Sequence, residues 1–208
     1  VDRSEYAKNG PVTNFVRTSI EILSSLPSVV VGLFGYLIFV VQFEYGFSII
    51  SGALALTVFN LPQMTRNVED SLRHVHHTQR EAGLALGISR WETVLHVVIP
   101  EALPSIVTGI VLASGRIFGE AAALIYTAGQ SAPALDWSNW NIFSVTSPIS
   151  IFRQAETLAV HIWKVNSEGT IPDGTAVSAG SAAVLLIFIL IFNLGARKLG
   201  SYLHKKLT

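Results

Sequence analysis

Cysteine is absent from the 208 residues. That excludes disulfides, zinc–thiolate sites and thiol nucleophiles. Charge is scarce as well: 13% of residues are Asp, Glu, Lys or Arg, against about 25% in an ordinary soluble domain. The 14 basic and 14 acidic residues cancel, which leaves no electrostatic footprint for nucleic acid. No Gly-x-x-x-x-Gly-Lys-Ser/Thr phosphate cradle occurs, so the chain is not expected to bind or hydrolyse ATP by itself or to hold a cofactor of its own. Internal repeats and low-complexity tracts are missing too. Residues 2–5 are polar, without the basic-then-apolar layout of a cleavable signal, and none is expected there.

What is present is hydrocarbon: half of the residues are hydrophobic. A membrane helix needs about 20 mostly apolar residues. Residues 22–43, 45–65 and 174–196 carry no charge at all, and residues 104–125 are interrupted only by Arg116 and Glu120. A buried helix of a soluble core could explain one such run but not three. The expected fold is all-α, a polytopic membrane helix bundle with four spans. Asn60-Leu61-Pro62 is expected to bend or end the second of them.

Basic residues give an orientation, because Lys and Arg accumulate on the cytoplasmic side. Arg3, Lys8 and Arg17 precede the first span. Arg66, Arg73, Arg80 and Arg90 lie in residues 66–101, and Arg197, Lys198, Lys205 and Lys206 lie in the tail. The long connection 126–172 carries only Arg153 and Lys164. Four alternating spans then put both termini and residues 66–101 in the cytoplasm and residues 126–172 outside the cell membrane. In that outer segment Ile151, Ala155, Leu158 and Ile162 recur at helical spacing, which predicts an amphipathic helix lying on the membrane or on neighbouring spans. A docking surface for an external partner is the other reading. Trp137, Trp140 and Trp163 suit the membrane interface.

The cytoplasmic segment contains Glu81-Ala82-Gly83-Leu84-Ala85-Leu86-Gly87 and, nine residues further, Val97-Val98-Ile99-Pro100. The first part favours a helix that stops at Gly87. His74, His76 and His77 lie nearby, as metal ligands or as solvated residues, but no carboxylate and histidine spacing makes a metal motif. Within residues 104–125, an Arg and a Glu are expensive in hydrocarbon and usually face a bundle interior or a watery path. Four residues apart on a helix, Arg116 and Glu120 would share a face and could pair. A guanidinium can hold phosphate oxygens bidentately, with the carboxylate neutralising it while the path is empty. A structural clamp between helices is the alternative. An intramembrane enzyme would need a nucleophile, base and orienter at recognisable spacing, and none is legible.

The Glu-Ala-Gly, Gly87 and Val97–Pro100 spacing resembles the signature of ABC importer permeases: Glu-Ala-Ala, three residues, Gly, nine residues, Ile-x-Leu-Pro. Gly83 stands where that pattern has alanine. Leu103-Pro104-Ser105-Ile106-Val107-Thr108-Gly109, the run from Gly115 to Leu124, and Leu26-Pro27-Ser28-Val29-Val30-Val31-Gly32-Leu33-Phe34-Gly35 resemble phosphate permeases, and Ala155–Lys164 favours the PstA branch of that family. The resemblance implies a type I ABC importer permease fold and a substrate path at Arg116 and Glu120. It implies that Glu81, Ala82, Gly83 and Gly87 couple the chain to a separate ATPase dimer, which binds the ATP and Mg. A PstC-like second permease, an external phosphate-binding protein, inorganic phosphate and membrane lipid complete the implied partners. Phosphonate or molybdate is the alternative cargo, and a signalling scaffold the more distant alternative. Members of the family have six spans, so four here would correspond to the part after the second.

Overall fold

The computed structural model describes residues 10–169 and 172–207. Arg3 and Lys8, the polar opening stretch, and the side chains of Arg17, His77, Arg80, Lys205 and Lys206 lie outside the described residues. Every regular element among the described residues is helical: α1 Pro11–Ser25, α2 Ser28–Gly35, α3 Ile49–Arg73, α4 His77–Ala85, α5 Arg90–Thr93, α6 Ile99–Ile117, α7 Ala122–Ile125, α8 Leu158–Glu168 and α9 Gly174–Leu207. Two π-helical stretches extend these, Tyr36–Gln42 after α2 and Val94–Val98 between α5 and α6.

Two helices among the described residues are long and apolar enough to cross a membrane. One is the continuous run Arg90–Ile117, 28 residues with a mean hydropathy of 1.8. The other is Gly174–Tyr202, 29 residues at 2.4. At 1.5 Å per residue the latter is roughly 44 Å long, more than a hydrocarbon core needs. Val184, Leu186, Ile187, Leu190, Ile191 and Leu194 are all exposed on it, as suits a helix apolar all round that faces lipid or another chain. A third candidate exists if Thr13–Ser25 and Ser28–Gln42 count as one broken span.

These boundaries differ from the expected spans. Residues 22–43 are not one helix, because α1 stops at Ser25 and Pro27 caps α2 in an extended conformation; the residue before a proline disfavours the helical region. The run 45–65 becomes α3, which starts at Ile49 and continues through Pro62 to Arg73. It does not end at Pro62. Asn60 Nδ2 donates to the Leu56 carbonyl at 2.8 Å and Thr65 Oγ1 to the Leu61 carbonyl at 2.9 Å, so side chains on both sides of a residue lacking an N–H bond back to the preceding turn. The expected run 104–125 begins far earlier, at Arg90, and its helix ends at Ile117.

The chain forms two compact units. In the unit of Val1–Ser24, Leu61–Ser114 and Ile191–Thr208, Leu72, Val75, Val98 and Ala102 make the buried cluster, with Val68, Ile99 and Ile106 against it. Ser71 and Ser105 hydroxyls meet at 3.1 Å beside it. In the unit of Ser25–Asn60 and Gly115–Leu190, Leu124, Ile125, Ala128 and the fully buried Val160 form the core. Here α2 lies on α7 so closely that a Cβ at Gly32 would stand 2.9 Å from the Ala123 Cα. Small residues permit this approach of backbones, which apolar solvent alone would not drive. Phe39, Phe43, Tyr45, Phe152 and Phe143 then run as a chain of ring contacts with centroids 5.8 to 6.1 Å apart.

The amphipathic helix expected from Ile151 starts only at Leu158. Residues 151–157 form a turn, a bend and an irregular stretch instead, with backbones engaged elsewhere: Ile50 N–H donates to Ile151 O, Ile49 N–H to Arg153 O, and Ala155 N–H to Ala128 O. Thr157 Oγ1 then accepts from the Val160 N–H and caps α8, and Gly169 at φ 59° closes it.

Candidate functional site

The first candidate site is the helix pair α4–α5. Helix α4 carries Glu81, Ala82 and Gly83; Leu86 N–H donates to Ala82 O and Gly87 N–H to Leu84 O. Gly87 sits at φ 76°, the left-handed position that ends the helix. Two residues later Ser89 opens α5 with a reciprocal cap: Ser89 Oγ accepts from the Glu92 N–H at 3.2 Å while Glu92 Oε2 accepts from the Ser89 N–H at 2.9 Å. Thr93 follows, buried, its Oγ1 donating to the Ser89 carbonyl at 3.0 Å.

Thr93 faces Gly83. A Cβ on Gly83 would lie 2.8 Å from Thr93 Cγ2, so α4 and α5 touch with no room for a side chain between them. Around this contact Glu81, Ala82, Leu84 and Leu86 are exposed on α4 and its end, and Trp91 on α5; Leu86 is 81% and Trp91 58% accessible. A cavity of about 370 Å³ opens beside them, lined by Gln79, Ala82, Gly83, Leu86, His96 and Val97 among others. The carbonyl oxygen of the Gln79 side chain is buried without a hydrogen-bond partner among the described residues. Val97, Ile99 and Pro100 are helical. They belong to the first turns of the helix Arg90–Ile117, where Ile99 N–H bonds Val94 O in a widened turn just before Pro100. Pro100 offers no N–H to the preceding turn, and a π-type widening is a common accommodation.

The second candidate site holds Arg116 and Glu120, which the structure does not place on a common helical face. Helix α6 ends at Ile117; Gly119 N–H donates to Arg116 O and Glu120 N–H to Ile117 O, a tight turn out of the helix. Gly119 is a poor helix former, and the Glu120 carboxylate is engaged with the next element, its Oε1 accepting from the Ala123 N–H of α7 at 3.4 Å. The Arg116 guanidinium lies 5.9 Å from the centroid of the Phe59 ring. Arg116 is exposed and Glu120 partly buried. A cation over an aromatic face at an exposed site gains about 0.5–1 kcal/mol.

Sequence reading missed Thr93, the capping pair Ser89–Glu92 and Phe59. The Ser-Arg-Trp-Glu run was a legible capping signal. Thr93 and Phe59 had none, since each acts across a tertiary contact. His74 Nδ1 lies 2.6 Å from the Asp70 carbonyl, and no group of three metal-ligating side chains occurs among the described residues.

Residues 4–208 match the family described as binding-protein-dependent transport system inner membrane component. A probable ABC transporter permease protein, YqgI of Bacillus subtilis (strain 168), is 60% identical over 99% of this chain and 70% of its own length. The phosphate transport system permease protein PstA of Xylella fastidiosa (strain 9a5c) is 36% identical over 94% of this chain and 63% of its own length. The PstA of Haemophilus influenzae is 32% identical over 98% and 66%. The chain thus spans about two thirds of the length of these relatives. No solved structure matches. With nearly its whole length matched, and an all-helical fold carrying two helices fit to cross a membrane, this chain belongs to the family of inner-membrane components of binding-protein-dependent transport systems.

Proposed function

We propose that the chain is a permease subunit of an ATP-driven phosphate importer. The observation that carries the cargo is the likeness to two proteins named phosphate transport permeases, extending over 94% and 98% of the chain. The α4–α5 pair supports the coupling role. Its Gly83–Thr93 contact makes the two short helices one rigid piece, and its exposed Leu84, Leu86 and Trp91 offer an apolar surface to a second protein. α5 is also the first turn of the helix that carries Arg116 in its last turn. A push on α4 therefore has a covalent lever to act on.

In this reading a separate ATPase dimer binds ATP and Mg and docks on Glu81, Ala82, Gly83 and Gly87. A PstC-like permease and an external phosphate-binding protein complete the importer, and this chain performs no covalent chemistry. Residues 66–101 and both termini face the cytoplasm, and residues 126–172 face outward. Arg116 and Glu120 line the phosphate path. A path shared with a second permease leaves its wall exposed in either chain alone, which is consistent with an exposed Arg116. The guanidinium offers two parallel donors to a tetrahedral oxyanion, and the carboxylate, held in place by the Ala123 N–H, supplies an opposing charge.

The test is uptake by the reconstituted transporter. Radiolabelled phosphate should enter in an ATP-dependent manner, and excess phosphonate or molybdate should compete poorly. Efficient uptake of either competitor with none of phosphate sinks the assignment.

A further inference from the structure

Residues 136–146 reverse the usual layout of a water-facing loop. Each of the polar side chains in this stretch is engaged with the loop itself. Asp136 Oδ1 accepts from the Ser138 N–H at 2.9 Å and from the Ser138 hydroxyl at 2.6 Å. Asn139 Oδ1 accepts from the Asn141 N–H at 3.1 Å, and Asn141 Oδ1 from the Phe143 N–H at 3.0 Å. Asn139 Nδ2 donates to the Ser144 hydroxyl at 2.8 Å, and the Ser144 and Thr146 hydroxyls meet at 3.1 Å. Asp136 N–H donates to the Thr146 carbonyl and closes the loop at its base. The remaining residues, Trp137, Trp140, Ile142, Phe143 and Val145, are all exposed, from 42% to 74%.

The loop also joins the end of an apolar helical run. Ser28–Gln42 carries no charge, and beyond it Glu44 and Gly46 both take positive φ as the chain turns. From Phe39 and Phe43 at that end, ring contacts continue through Tyr45 and Phe152 to Phe143, with no step longer than 6.1 Å. Helix end and loop therefore share one aromatic layer. Aromatic side chains gather at the level where a span leaves hydrocarbon for headgroups. Asp136 is the single charge between Glu120 and Arg153.

An exposed apolar patch marks a contact with protein or with lipid. A protein interface of standard size carries about ten direct hydrogen bonds, and a loop whose polar side chains already bond one another has few to give. Lipid asks for none, and it favours a backbone and polar side chains satisfied within the protein.

We propose that residues 136–146 form a membrane-interface anchor, which seats Trp137, Trp140 and Phe143 among the headgroups and upper acyl chains of the bilayer. The loop steadies the aromatic layer at the end of Ser28–Gln42, and it does so whatever the cargo.

The experiment is photo-crosslinking of the full-length permease within its assembled transporter in native membranes. Benzoylphenylalanine replaces Phe143 in one variant and Trp140 in another; the second position keeps the test valid if the ring contact of Phe143 with Phe152 is needed for assembly. After irradiation the permease is purified, and its intact mass and gel mobility are read. A lipid-seated loop predicts a shift by the mass of one phospholipid at both positions, with unchanged gel mobility. A cross-link to another protein, whether a second permease or an external binding protein, overturns the proposal, as does the lack of any lipid adduct at both positions. Phosphate uptake by the unaltered transporter tests the transport reading separately, so failure of the anchor leaves that reading standing.

Discussion

The Thr93 methyl occupies the space in which a Gly83 side chain would begin, 2.8 Å from the ideal Cβ position. Alanine is the usual residue of the family's motif at that place, and here a buried threonine on the facing helix has taken its volume. Gly83→Ala should therefore force α4 away from α5, with a destabilisation of about 1–3 kcal/mol typical of overpacking. Reconstituted transporter should show reduced ATP-dependent uptake for the same ATPase activity. Thr93→Ser removes the offending methyl, and the pair Gly83→Ala/Thr93→Ser should recover coupling. Normal uptake by Gly83→Ala alone refutes the tight-contact account.

Gly87 tests a different property of the same element. Its φ of 76° is open to glycine and strained for alanine, and the left-handed conformation costs an L-residue roughly 1–2 kcal/mol. Gly87→Ala should lower the apparent affinity of the permease for its ATPase several-fold in a pull-down titration, and Gly87→Asn, which tolerates this region better, should lie between. Equal affinity for all three proteins would show that the turn after α4 plays no part in docking.

Arg116 distinguishes charge from shape. Arg116→Lys keeps the positive charge yet loses the planar fork, and Arg116→Ala loses both. Phosphate uptake should fall at least tenfold in either case, with the complex still assembling. Transport at the normal rate in the lysine variant would remove bidentate capture from the mechanism.

Asp136 gives a pH dependence. The Ser138 hydroxyl and backbone N–H both donate to its Oδ1, at 2.6 and 2.9 Å, and hold its carboxyl below the usual carboxylate value. A depressed carboxyl contributes order above the unfolded value and loses it as pH falls through the folded value. The turn that presents the neighbouring exposed Trp137 should loosen only in that acid window. Single-tryptophan emission from Trp137 should be flat from neutral pH down to the ordinary carboxylate range and change below it. Asp136→Asn should abolish the transition; an identical titration in that variant would assign the change to another group.

The helix before Gly87 shows where one-dimensional reading succeeds. Glu81 to Gly87 read as a helix with a glycine stop because helix propensity and positive φ are local properties, and the structure has both. Residues 151–157 show where it fails. Ile151 and Ala155 have helical spacing, but their peptide groups are bonded to Ile50 and Ala128, partners far away in the chain. Arg116 and Glu120 fail for a neighbouring reason: four residues make one helical turn only if the helix persists, and here it ends at Ile117.

Composition alone determined that this chain is helical and made for hydrocarbon, since a backbone in lipid must satisfy its own hydrogen bonds and a helix does so within one segment. Local spacing determined the helix through Glu81 and its stop at Gly87. Tertiary structure alone decided that Gly83 must stay small, that Arg116 rests over Phe59 while Glu120 turns to α7, and that Lys164 reaches the Gln130 carbonyl. Those facts depend on which distant backbones approach one another, and contact across long sequence separation leaves no periodicity to read.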